Sequence, residues 1–76
     1  MTMLNQLKSG DIARIVAFNN GFELKKKFVS KGISEGSIIR IISCFNLIIF
    51  NVNSKIFSVS NGIAENIRVI ELKGWN

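Results

Sequence analysis

The sequence predicts a mainly β fold, a small barrel or β-roll with one inserted helix. Turn signals rich in Gly, Asn and Ser recur at short intervals, and five strand-like runs lie between them. Only one segment combines helical apolar spacing with a terminal glycine. A chain of 76 residues has room for one domain. We expect that single domain to span residues 1–76, with a core of about 4–72.

The first predicted strand covers residues 12–18 and follows a turn at Ser9–Asp11. Three further strand-like runs cover residues 37–44, 47–52 and 55–59, and Asn53-Ser54 reads as a tight hairpin between the last two. Asn61-Gly62 predicts a turn, followed by a single helical turn at Ala64 and Glu65. The closing strand covers residues 66–72.

The inserted helix is predicted over residues 22–31. Leu24 and Phe28 are four residues apart and share a face, and Glu23 precedes Lys27 by four, which favours an ion pair. Gly32 supplies a left-handed stop, and the next residue, Ile33, can pack back on the helix as in a Schellman motif. Basic side chains suit the negative end of a helix dipole, and here they are Lys25, Lys26, Lys27 and Lys31.

The residue types present exclude most catalytic chemistry. There is no histidine, so the usual general base and the commonest metal ligand are missing. The five carboxylates are scattered, no Gly-rich phosphate loop occurs, and one cysteine cannot form a structural zinc site. We therefore expect no enzyme, no cofactor and no metal site. Cys44 is expected to be a buried structural thiol rather than a nucleophile.

The same features indicate a cytoplasmic protein that does not insert into a membrane. A lone cysteine fits a reducing compartment, and no secretory signal is visible. The most apolar stretch, residues 38–50, contains Arg40 and is shorter than the roughly 20 residues that a membrane span needs.

Charge and hydropathy both point to a binding surface. The net charge of +5 suits nucleic acid, an anionic membrane surface or an acidic protein, although it also simply favours solubility. Apolar residues fall on both faces of the runs at 37–44 and 47–52, so some must lie outside the barrel, in part under the helix. The remainder predicts an exposed apolar patch for a partner protein or for self-association.

The order of these signals resembles the ferrous iron transport protein A (FeoA) family. The residues that carry the resemblance are Leu4, Leu7, Gly10, Ala13, Ile15, Phe28, Gly32, Ile33, Gly36, Ala64, Ile67 and Val69. The chain departs from the family pattern at three places. Lys31 replaces a leucine before Gly32, the turn near Phe45 and Asn46 lacks the usual Gly-Pro, and Ser60 stands where an arginine is common.

The resemblance implies an SH3-like barrel of about five to six antiparallel strands. It implies a non-enzymatic accessory protein of ferrous iron uptake that docks on the cytoplasmic part of the membrane transporter, ferrous iron transport protein B. It also carries a family-level association with transition metals. The candidate partner contacts are Lys25, Lys26, Lys27, Lys31, Phe45 and Leu47.

Two alternatives stay open at this point. The chain could form a homo-oligomer through its surplus apolar surface. It could also be a nucleic-acid-binding barrel of the ribosomal or Sm-like kind. Such barrels interleave aromatic and basic residues on a strand face, whereas Phe45, Phe50 and Phe57 have no flanking pair of basic residues, so we do not expect nucleic acid as the partner.

Overall fold

The computed structural model describes residues 2–19 and 22–72. Six strands form one antiparallel sheet in the order β1-β6-β2-β3-β4-β5, which confirms the predicted fold class, a mainly β, SH3-like barrel. The strands are β1 Thr2–Met3, β2 Ile12–Phe18, β3 Ile38–Ser43, β4 Ile48–Val52, β5 Lys55–Val59 and β6 Ile67–Glu71. The helices are α1 Phe22–Val29 and α2 Asn61–Ala64, and a 3₁₀ turn covers Leu4–Gln6.

Alternation along the strands builds the core. In β3, Ile39 and Ile41 are buried, whereas Ile38 and Ile42 point outward and are about half exposed. No polar or charged side chain among the described residues is buried, so the interior is entirely apolar. The expected apolar surplus therefore lies outside the barrel. It remains exposed on β3 rather than being covered by α1.

Helix α1 ends in the predicted Schellman motif. The amide of Gly32 donates to the carbonyl oxygen of Val29, and that of Ile33 donates to the carbonyl oxygen of Phe28, both at 3.0 Å. Gly32 has a φ of +88°, the left-handed conformation that this motif requires. The side chain of Phe28 is buried, and its ring centroid lies 5.4 Å from that of Phe18. The left-handed stop therefore lies at Gly32 as predicted, but α1 itself ends at Val29, two residues before the predicted end at Lys31. Phe28 packs the helix against the barrel.

The β4–β5 hairpin determines which backbone groups of β5 face outward. Asn53 and Ser54 have φ values of 53° and 67°, as in a two-residue type I′ turn. Val52 pairs with Lys55 beside this turn and forms the first hydrogen-bonded pair. Hydrogen-bonded pairs alternate along an antiparallel ladder. The peptide groups of Ile56 and Ser58 consequently face away from β4, at the edge of the sheet.

The structure also differs from the predicted secondary structure near α2 and at the N-terminal strand. Asn61 and Gly62 do not form a separate turn; they begin α2, because the Ser60 hydroxyl accepts a hydrogen bond from the Ile63 amide at 3.3 Å and caps the helix. The pair β1 with β6 adds a strand that the sequence did not indicate. Residues 1, 20, 21 and 73–76 of the predicted domain lie outside the described residues.

Candidate protein-interaction surfaces

The four lysines predicted as partner contacts lie on different sides of α1 and its C-terminal turn. All four side chains are exposed. The ion pair on this helix joins the Nζ of Lys25 to the Oε1 of Glu35 at 3.3 Å, rather than Glu23 to Lys27 as the spacing suggested. Both partners are nearly half exposed, so the pair contributes little to stability.

The outer side of α1 carries an apolar stripe between lysines. Phe22 is 74% exposed and Val29 is about half exposed, and together with Lys25, Lys26 and Ser30 they line a shallow surface depression. Phe22, Lys26 and Val29 follow the i, i+4, i+7 spacing of one helix face. The sequence analysis missed this stripe because it used Leu24 and Phe28 to define the apolar face. The seven-residue spacing of Phe22 and Val29 could have indicated this stripe from the sequence.

The opposite side of α1 borders a partly open, mostly apolar groove. A cavity of about 70 Å³ lies between the C-terminal half of α1, strand β5 and helix α2. Its walls are mostly apolar, and two lysines stand on the helix side. The lining residues are Lys27, Phe28, Lys31, Ile33, Phe57, Ser58, Val59 and Ile63. We call this feature the α1–β5 groove. It brings together two of the four predicted lysines with residues of β5 that the sequence analysis did not single out.

The predicted apolar contacts lie in the loop between β3 and β4. Phe45 is 86% exposed and Leu47 is 46% exposed. In the β2–β3 ladder Ile12 pairs with Arg40 and Arg14 pairs with Ile38, so β3 ends beside the start of β2. Helix α1 instead follows the end of β2. The structure therefore places the exposed loop and the lysine-rich helix on connections that leave the sheet at opposite ends of β2.

The described residues do not fit a transition-metal site. No group of three His, Cys, Asp or Glu side chains comes together within residues 2–19 and 22–72. The Asp11 carboxylate already accepts a hydrogen bond from the Lys8 amide at 2.7 Å, and Glu35 is paired with Lys25. Cys44 is half-buried against the core, whereas the sequence predicted a buried thiol. A single thiol without neighbouring donors is a poor ligand set for a soft metal ion.

In the described sheet, the cross-strand neighbours of Arg14 on the outer face of β2 are aliphatic rather than aromatic. Arg14 in β2 lies opposite Ile38 of β3 and Ile70 of β6, and both isoleucines are half exposed. Bases stack on aromatic rings or on guanidinium planes held beside them, and aliphatic neighbours supply no such platform. This outer face is apolar and basic. Within the described residues no helix has the length and apolar character needed to cross a bilayer.

Together these features define a small SH3-like barrel that presents apolar and basic surfaces, with no group of three metal-ligating side chains within the described residues. The FeoA domain model matches residues 2–71, so the chain belongs to the FeoA family. This family consists of small accessory domains associated with ferrous iron transport.

Solved structures with the same fold include other members of the family. The crystal structure of an iron uptake regulatory protein (FeoA) is 27% identical, with a TM-score of 0.85, and the match covers 93% of this chain and 96% of that one. The NMR structure of a FeoA-like protein from Clostridium acetobutylicum is 20% identical, with a TM-score of 0.80, over 100% and 95% of the two chains.

The same barrel occurs as part of a longer protein. A manganese-dependent transcriptional repressor is 22% identical, with a TM-score of 0.83, and the match covers 92% of this chain but only 40% of the repressor. At that identity the likeness shows the fold alone. A search of curated protein sequences finds no match.

Proposed function

We propose that this chain is a non-enzymatic, cytoplasmic accessory protein of ferrous iron uptake. It acts by docking on the cytoplasmic part of the ferrous iron transporter, ferrous iron transport protein B. Family membership supports the assignment to iron uptake. The absence of a clustered donor set among the described residues supports a binding role over a chemical one.

The observation that carries the proposal is the amount of exposed apolar surface on so small a barrel. Among the residues that the structure describes, eight large apolar side chains are each at least 45% exposed: Phe22, Val29, Ile38, Ile42, Phe45, Leu47, Ile56 and Ile70. Aromatic side chains are enriched at the centres of protein interfaces, and Phe45 and Phe22 are the two most exposed of the set. Lysines beside Phe22 would steer the chain towards an acidic surface on the transporter.

Binding of the chain to the purified transporter, reconstituted in lipid nanodiscs, tests the proposal. We expect saturable binding to nanodiscs that hold the transporter and none to empty nanodiscs. The variants Phe45→Ser/Leu47→Ser and Lys25→Glu/Lys26→Glu should each weaken binding by about tenfold or more, because they remove exposed contacts without touching the core.

Lys8→Glu, at an exposed lysine before β2 and outside the segments proposed to dock, is the charge control, and it should change the affinity by less than about threefold. Absence of binding to the transporter would contradict the proposal. Tight binding to single-stranded RNA with a steep salt dependence would favour the nucleic-acid alternative instead.

A further inference from the structure

The edge of the sheet at β5 lies directly beside the α1–β5 groove. Within residues 2–19 and 22–72, strand β5 pairs only with β4, so it ends the described sheet. The outward N–H and C=O groups of Ile56 and Ser58 make no hydrogen bond within the described part of the chain. Phe57, Ser58 and Val59 of the same strand line the groove. A free strand edge and a cavity for side chains are thus adjacent, with a helix forming the far wall.

We propose that the α1–β5 groove binds an extended acidic peptide segment of a partner protein, which pairs with β5 as a seventh strand. The inference rests on the proposed function, because the segment would belong to the docking partner. Main-chain hydrogen bonds to an exposed sheet edge supply affinity in this mode of recognition, and pockets for alternate side chains supply specificity. Ile56 and Ser58 provide the backbone donors and acceptors for such a strand.

The charge of the groove selects an acidic segment. Lys27 and Lys31 are four residues apart and stand on the same side of the groove, and no carboxylate from the described part of the chain lines it. Neither lysine has an ion-pair partner among the described residues, since Glu35 is engaged by Lys25. An extended segment with a carboxylate next to an apolar residue would place negative charge at these two ammonium groups.

The size of the groove selects a small apolar side chain. Its volume of about 70 Å³ exceeds several-fold the roughly 10–15 Å³ that one water needs. Phe28, Ile33 and Phe57 give it apolar walls. A branched aliphatic side chain such as valine or isoleucine suits these walls better than an aromatic ring does.

A second copy of this chain is a poorer occupant. Pairing of two β5 strands would bring together the segments Lys55–Val59, which contain no carboxylate for Lys27 and Lys31. Each copy also carries a net charge of +5, so the two copies repel each other. A lysine on an edge strand additionally discourages edge-to-edge pairing.

The test uses the ¹⁵N-labelled full chain and three capped peptides of about six residues. One peptide alternates valine with glutamate, one alternates valine with lysine, and the third is the acidic peptide with all of its backbone amides N-methylated. We expect the amide signals of Ile56 and Ser58 to shift saturably with the acidic peptide only, because the lysine peptide meets like charge and the methylated peptide cannot pair with an edge.

Two variants locate the site in the same peptide assay. Lys27→Glu/Lys31→Glu should weaken the binding of the acidic peptide by about tenfold or more, whereas the matched change Lys25→Glu/Lys26→Glu, outside the groove, should weaken it by less than about threefold. Ser58→Pro removes an outward N–H without removing a ladder bond to β4, and it should abolish binding. Thermal unfolding checks that each variant is folded.

Three results would overturn the inference. The first is that the amide signals do not shift saturably at millimolar acidic peptide. The second is that the methylated peptide binds as well as the unmethylated acidic peptide. The third is that the Lys27/Lys31 and Lys25/Lys26 variants weaken peptide binding equally. If sedimentation showed a doubled mass, and Ser58→Pro restored the monomer mass, the edge of β5 would pair with a second copy of the chain instead.

Failure of this inference can be distinguished from failure of the proposed function. If the chain binds the transporter and neither Lys27→Glu/Lys31→Glu nor Ser58→Pro changes that binding, only the groove inference fails. If the chain binds the acidic peptide but not the transporter, only the proposed function fails.

Discussion

The amide of Ile33 donates a hydrogen bond to the carbonyl oxygen of Phe28 at 3.0 Å, across the left-handed Gly32. Both side chains are buried in the core, and both form walls of the α1–β5 groove. This contact fixes where α1 ends against the barrel. It therefore also fixes the position of Lys27 and Lys31 beside the free edge of β5.

The first prediction concerns Gly32. Replacing Gly32 by valine should lower the free energy of unfolding by about 1–3 kcal/mol, because a β-branched residue is strained at a φ of +88°. A Cβ at this position meets nothing within 4 Å, so the cost comes from the backbone and not from a clash. Urea denaturation of both proteins measures the difference.

Gly62→Ala is the matched control. Gly62 lies inside α2, has no positive φ, and an added Cβ would touch only the Ser60 hydroxyl at 4.0 Å. Alanine is the better helix former, so the variant should be unchanged or more stable by up to about 1 kcal/mol. Equal stability of the Gly32→Val and parent proteins would show that the left-handed turn does not hold α1 in place.

The second prediction tests the inside and outside of β3 with neighbouring isoleucines. Ile41 is 1% exposed and Ile42 is 45% exposed. Ile41→Ala should destabilise the fold by about 2–5 kcal/mol, since it leaves a cavity in the core. Ile42→Ala should cost less than about 1 kcal/mol. Similar losses in chemical denaturation would mean that the strand is shifted by one residue, because such a slip exchanges the two faces.

The third prediction concerns Ser60, which replaces an arginine common in the family. Its hydroxyl accepts a hydrogen bond from the Ile63 amide at 3.3 Å and caps α2. Ser60→Ala should therefore lower the free energy of unfolding by about 0.5–2 kcal/mol, which thermal denaturation would show as a lower melting temperature. Ser58→Ala, an exposed serine with no side-chain hydrogen bond among the described residues, should change stability by about 0.5 kcal/mol at most. If both serines gave the same loss, the cap would contribute nothing.

The fourth prediction concerns metal ions. The isolated chain should bind ferrous or zinc ions only weakly, because the described residues bring no three donors together and the chain has no histidine. Titration calorimetry under anaerobic conditions measures this. A stoichiometric submicromolar site would contradict the prediction. If Cys44→Ser abolished that site, it would be built around the thiol, between two copies of the chain.

Local signals predicted most elements of this fold. Strand β5 runs from Lys55 to Val59 as the alternation indicated, and Gly32 stops α1 through short-range hydrogen bonds that depend on neighbouring residues. Strand β1 was missed because two residues show no periodicity, and Thr2 becomes a strand only by pairing with Val69 of β6.

The groove could not be predicted in the same way. Lys27 and Phe57 are far apart in sequence and meet only because α1 packs beside the last strand of the sheet. The sequence shows the lysines, but not which of them face the groove. That depends on the rotation of α1 about its axis, which the burial of Phe28 sets.

Hydrogen–deuterium exchange of the chain, alone and bound to the purified ferrous iron transporter, tests the central claim most directly. Docking should slow amide exchange in residues 22–31 and 45–47, which carry the exposed lysines and the apolar loop, and in β5 beside the groove. Core strands such as β2 should exchange slowly in the free chain as well, because their inward side chains are buried, and should change little on docking. Unchanged exchange in all three segments at saturating transporter would contradict docking through these surfaces.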